Sequence, residues 1–231
     1  MIYELNHIGI KTANMEASIE FYHQMLGGVI VRDAKSLDGL SRFVYIQMGK
    51  GTVELITSQD PADQGFAHVA YLVDEAGLDK AYEILCEKGI EFTVKPKKAG
   101  SGDGRLAFFR DPCGVIDELI EREPRPRAEE PDARVISFDH TLIGAGAHWA
   151  ECMDFYQESM DMVGDKNGRC SKGADALVFN TQEGGILYMA LKVADCKALR
   201  SELNARGVAT QDAQGGFIAV APSGERVFLF E

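Results

Sequence analysis

The chain has 231 residues, 45% of them apolar and 26% charged, enough for one or two domains with a real core. Its formal charge of −12 is spread evenly, with 13 basic and 19 acidic residues in 1–122 against 11 and 17 in 123–231, so no basic arm is left for a phosphate backbone and no nucleic-acid partner is expected. The cysteines, Cys86, Cys113, Cys152, Cys170 and Cys196, show no Cys-x-x-Cys spacing, the amino terminus has no signal pattern, and no run approaches the ~18 apolar residues of a membrane span. The expectation is a soluble cytoplasmic protein, monomer or homodimer, acting on a small molecule, with no membrane partner.

In chain order, a strand through Asn6–Ile10 is followed by a helix in 15–26, where Met15, Ile19, Tyr22 and Leu26 recur at helical spacing and Gly27-Gly28 stops it. Short strands are predicted at Val29–Arg32, Arg42–Met48 and Thr52–Ile56, then a strand at Phe66–Val73. A second helix carries Leu78, Tyr82 and Leu85 and ends at Gly89, and strands at Glu91–Lys95, Leu106–Arg110 and Val115–Ile120 complete the first half. Residues Glu121 to Pro131, EREPRPRAEEP, hold three prolines among seven charges and read as a linker.

The second half repeats the first. Asn6-His7 before Phe21-Tyr22 matches Asp139-His140 before Phe155-Tyr156; the strand Phe66–Val73 and its helix match Ile186–Val193 and its helix; Asp111-Pro112-Cys113-Gly114 matches Ala221-Pro222-Ser223-Gly224. The first anchors are offset by 133 residues and the last by 110, so the second copy has trimmed loops. The fold class expected is α+β: four βαβββ units in two pairs, each pair a mixed β-sheet with helices on its outer face. The domains expected are 1–122, a linker at 123–134, and 135–231.

Side chains alternate along a strand, so each strand can be asked what it turns away from its apolar face. The first turns out His7, opposite Ile8 and Ile10; Thr52–Ile56 turns out Glu54; Phe66–Val73 turns out His68; Val115–Ile120 turns out Glu118, although Asp117 interrupts the apolar face. Singly each is an ordinary strand residue, yet they fall at corresponding places in successive units. Two imidazoles and two carboxylates suit one divalent ion of nickel, cobalt, zinc, manganese or iron rather than calcium or a soft thiolate metal.

The set His7 (LNHIGI), Glu54 (TVELI), His68 (AHVAYLV) and Glu118 (DPCGVIDELIE), with Phe21-Tyr22, resembles the vicinal-oxygen-chelate superfamily of glyoxalase I, methylmalonyl-CoA epimerase, extradiol dioxygenases and the bleomycin and fosfomycin resistance proteins. The resemblance covers 1–122 and, more faintly, 135–231. Bacterial glyoxalase I, as the resemblance implies, uses His, Glu, His and Glu at these four places. The epimerase resembles Gly100–Arg105 and Asn6–Gly9 but carries glutamine where this chain has Glu54, and its base position falls on Tyr45. In the second half His140 remains, while Leu177, Tyr188 and Phe228 are taken to match Glu54, His68 and Glu118, so that half is expected to hold no metal.

The reaction expected is proton transfer next to a carbonyl, as in a lyase, isomerase or epimerase, with Glu118 or Glu54 as the base. Arg42, Tyr45 and Arg105 are expected to bind a small anionic substrate. The loop Gly100–Gly104 reads as a flexible loop and Cys113 as structural. An iron-dependent dioxygenase and a non-catalytic ligand-sequestering protein are the alternatives.

Overall fold

The computed structural model describes residues 2–74, 76–123 and 134–231. Strands β1 (Ile2–Thr12), β2 (Val29–Lys35), β3 (Arg42–Met48), β4 (Gly51–Thr57), β5 (Gly65–Val73), β6 (Phe92–Lys98), β7 (Arg105–Arg110) and β8 (Ile116–Glu121) form one eight-stranded sheet in the order β2-β3-β4-β1-β5-β8-β7-β6. Strands β9 (Val135–Ala145), β10 (Val163–Gly164), β11 (Arg169–Lys172), β12 (Asp175–Asn180), β13 (Glu183–Val193), β14 (Thr210–Ala213), β15 (Gly216–Val220) and β16 (Arg226–Phe230) form a second sheet in the same order, β10-β11-β12-β9-β13-β16-β15-β14. In each, the central strands pair in parallel, β1 with β4 and β5 with β8, β9 with β12 and β13 with β16, while the outer strands are antiparallel hairpins. These are the four βαβββ units expected from the repeat.

The first helix is split. An α-helical turn, α1 (Met15–Ile19), opens on Asn14, whose side chain accepts from the Ala17 amide, and runs into a π-helical stretch at Glu20–Met25. The 3.6-residue apolar spacing locates the helix but does not distinguish the wider turn. Helices α2 (Gly77–Glu87), α3 (Trp149–Glu158) and α4 (Cys196–Ala205) follow the first strands of the other units.

Each sheet is confined to one half of the sequence, but the packing of the backbone groups the chain differently. One compact unit gathers residues 2–7, 68–74, 76–123 and 141–187. In it α3 lays Tyr156, fully buried, against the Asp111 and Asp117 carboxylates at 3.1–3.2 Å, and Phe155 against Phe109 with ring centroids 6.0 Å apart. That is why Asp117 interrupts an apolar strand face: its partner is a tyrosine from the other half of the sequence. The second unit gathers Ile8–Ala67, residues 134–140 and Tyr188–Glu231, with Tyr22 donating its hydroxyl to Glu225 Oε1 at 2.7 Å. Apart from Glu123 and Arg134, the linker expected at 123–134 lies outside the described residues. No helix among the described residues is long and apolar enough to cross a membrane.

Candidate metal centre

The four central neighbours of the first sheet, β4-β1-β5-β8, carry Glu54, His7, His68 and Glu118 in that order. Register aligns them: Gly9 lies opposite Glu54 and Ala70 opposite Glu118. Alternation buries Ile8, Ile10, Val53, Leu55, Val69, Tyr71 and Leu119 completely on one face, which leaves the imidazoles and carboxylates facing the other. Their ligand atoms all lie within 4.8 Å of one another, and the four residues are only 1% to 6% exposed.

His7 Nε2 and His68 Nε2 face each other at 3.1 Å. Glu118 Oε2 lies 3.2 and 3.1 Å from these nitrogens, buried and with no hydrogen bond of acceptable geometry. Ligand atoms ~2.0–2.1 Å from one ion stand about 3.0–3.4 Å apart, so these separations are those of ligands converging on a shared centre. Without a cation, two carboxylates packed this deeply cost several kcal/mol each by order of magnitude. A divalent ion would balance them, and the donor set of two imidazoles and two carboxylates fits one.

Neighbouring residues orient these side chains. Asn6 donates its amide to Glu4 Oε1 at 3.0 Å and accepts at Oδ1 from Arg122, so Oδ1 can only accept the 3.0 Å contact from His7 Nδ1. That fixes the Nδ1–H tautomer of His7 and leaves Nε2 with its lone pair, the form a metal ligand needs. Arg122 is held in turn by Asp103 at 3.5 Å. Tyr45, directly opposite Glu54 across β3 and β4, donates its hydroxyl to Glu54 Oε1. Burial raises the Glu118 carboxyl, but with no ion bound His68 and then His7, in their protonated forms, overcome it and hold it below the usual carboxylate range. Phe108, opposite Glu118, packs edge-on against the His68 ring, with centroids 5.7 Å apart.

Other expected residues sit elsewhere. Arg42 is three positions from Tyr45 and so on the opposite face of β3, gripped by Asp33 at 2.9 and 2.7 Å and by Glu16 of α1 at 2.5 Å. Arg105, three positions from Phe108, pairs with Asp79 of α2 at 2.8 and 2.7 Å and with Glu121 at 3.3 Å. Both guanidiniums tie a strand to a helix, Arg42 to Glu16 of α1 and Arg105 to Asp79 of α2. The Gly100–Gly104 stretch is a tight turn between β6 and β7, closed by Ala99 N–H to Gly104 O at 3.0 Å.

In the second sheet Val178, not Leu177, occupies the place of Glu54: Val178 lies opposite Leu142, two residues beyond His140, as Glu54 lies opposite Gly9, two beyond His7. Phe228, opposite Ala190, takes the place of Glu118. His140 instead meets Asp139 at 2.7 Å and the Tyr188 ring at 5.9 Å. Asn6, Arg122 and Asp103 were missed in the sequence; the repeated polar residue before each histidine, Asn6 and Asp139, was the available signal.

The family described as Glyoxalase/Bleomycin resistance protein/Dioxygenase superfamily matches residues 4–119. The chain is similar to metallothiol transferase FosB of Shouchella clausii (strain KSM-K16), 27% identical over 146 residues, which cover 58% of this chain and 94% of that protein. It is also similar to lactoylglutathione lyase GLX1 of Arabidopsis thaliana, 28% identical over 139 residues, 56% of this chain and 47% of that protein, so it spans less than half of the plant lyase. The solved 2,3-dioxygenase LapB from Pseudomonas sp. KL28 superimposes with a TM-score of 0.72 at 18% identity over 99% of this chain and 92% of that one, a likeness of fold.

Proposed function

The chain belongs to the glyoxalase/bleomycin resistance protein/dioxygenase superfamily, and on that premise we propose that it is a metal-dependent enzyme moving a proton on the carbon next to a carbonyl, as a lyase or isomerase of the glyoxalase kind. The observation that carries this reading is the buried set His7, Glu54, His68 and Glu118 with its converging ligand atoms. A divalent ion held there, of nickel, cobalt, zinc, manganese or iron, supplies Lewis acidity at two adjacent oxygens of a small substrate. The proton itself is handled by the chain. Glu54, with one oxygen fixed by Tyr45, takes the carbon-bound proton, while Glu118 Oε2 keeps its place beside both histidine nitrogens. His7, fixed by Asn6, and His68, packed on Phe108, hold the frame.

The test incubates the metal-loaded protein with lactoylglutathione, the compound named for the plant relative, in deuterium oxide, and follows the hydrogen beside the carbonyl by NMR. Exchange in the parent, lost in Glu54→Gln and kept in part in Glu118→Gln with the metal still bound, supports the reading. Full turnover by Glu54→Gln with metal bound would remove Glu54 as the base.

A second reading rests on one observation. His7, His68 and Glu118 meet directly while Glu54 is tied to Tyr45, an arrangement of two histidines and one carboxylate that suits ferrous iron and oxygen chemistry. Oxygen uptake with ferrous iron and a catechol, absent with the other metals, would favour it.

A further inference from the structure

A second group of ligand atoms lies within the first packing unit, where the Asp111-Pro112-Cys113-Gly114 turn meets α3. Asp111, Cys113 and Cys152 present one carboxylate oxygen and two sulfurs, all within 4.8 Å of one another. Asp111 is 5% exposed and Cys152 fully buried, whereas Cys113 is half-buried and leaves a way in. The carboxylate is already oriented. Its Oδ1 accepts the backbone N–H groups of Cys113 at 3.0 Å and Val115 at 2.8 Å, and its Oδ2 accepts the Cys113 thiol at 3.3 Å and the Tyr156 hydroxyl at 3.1 Å. Cys152 and Tyr156, one helical turn apart, approach from the same face of α3.

The geometry points to a thiophilic metal site in which Asp111 Oδ2, Cys113 Sγ and Cys152 Sγ hold one d10 divalent cation of the zinc class, with a fourth position open beside Cys113. This donor set is soft where the His7, Glu54, His68 and Glu118 set is nitrogen and oxygen, so the two sites differ in chemistry as well as in place. Bound as two thiolates and one carboxylate, the three ligands leave the filled site with a single negative charge. The ion would clamp the turn that leads into β8 to a helix from the other half of the chain.

Cadmium is the probe, because thiolate ligation gives an ultraviolet charge-transfer band that nitrogen and oxygen ligands do not. The parent protein should develop the band, saturating at one thiolate-bound ion per chain. His68→Ala should keep it and Cys113→Ser should lose it. In the parent, bound cadmium should also slow alkylation of Cys113 by iodoacetamide several-fold. No band in the parent, an undiminished band in Cys113→Ser, or unchanged alkylation of Cys113 would overturn the assignment.

Discussion

Replacing Glu225 by glutamine probes the buried acid of the second packing unit. Glu225 is 3% exposed and accepts the hydroxyl of fully buried Tyr22 at 2.7 Å. Burial pushes its carboxyl above the usual range, partly opposed by the Tyr22 hydrogen bond, which favours the anion. The folded chain therefore keeps this proton over a window, beginning near the unfolded value of about 4.3, in which the unfolded chain has lost it. The stabilising contribution of that proton is full below the unfolded pKa and is lost as pH rises through the folded one. Glutamine still accepts from Tyr22 and cannot ionise, so the melting point of Glu225→Gln relative to the parent should climb as pH rises from about 4 through the raised folded value. Tyr22→Phe is the complement: it strips the carboxylate of its phenol donor at a cost of about 1–3 kcal/mol. For a chain of this length that is roughly 2–4 °C per kcal/mol, and the loss should be larger at the alkaline end. Thermal melts by circular dichroism across this range read both effects. A parent-to-Glu225→Gln difference that does not change with pH would refute the reasoning.

Three further outcomes are expected. Tyr45→Phe removes the donor to Glu54 and should lower proton exchange or metal affinity by about 10–100-fold without unfolding the chain, checked by exchange rate and metal titration. Tyr156→Phe leaves buried Asp111 and Asp117 without the hydroxyl they share and should cost about 1–3 kcal/mol in denaturant unfolding. Gly104→Ala meets both a φ of +76° and the Glu121 carbonyl oxygen, which leaves no room for the new Cβ, so it should destabilise by about 1–3 kcal/mol, read by thermal melts.

The four candidate ligands were legible because strand alternation is a local rule: each apolar strand of two successive units turned out one imidazole or carboxylate, and the sheet order then set those strands side by side. What was not legible depends on partners distant in sequence. Asp117 looked like a flaw in β8 until Tyr156, 39 residues on, supplied the hydroxyl. Arg42 and Arg105 invited a substrate role, although the same alternation, counted from Tyr45 and Phe108, puts them on the helix side with Glu16 and Asp79. Val178 rather than Leu177 matches Glu54 because trimmed loops shift the count, and only strand pairing restores it. The π-helical stretch at Glu20–Met25 leaves the apolar spacing of its sequence nearly unchanged.

Elemental analysis of the parent beside His68→Ala, both supplied with manganese or nickel and then desalted, bears most directly on the metal centre. The account predicts that His68→Ala carries one ion per chain fewer than the parent, with the fold intact by circular dichroism. Equal metal content in the two proteins, or no bound ion in the parent, would contradict it.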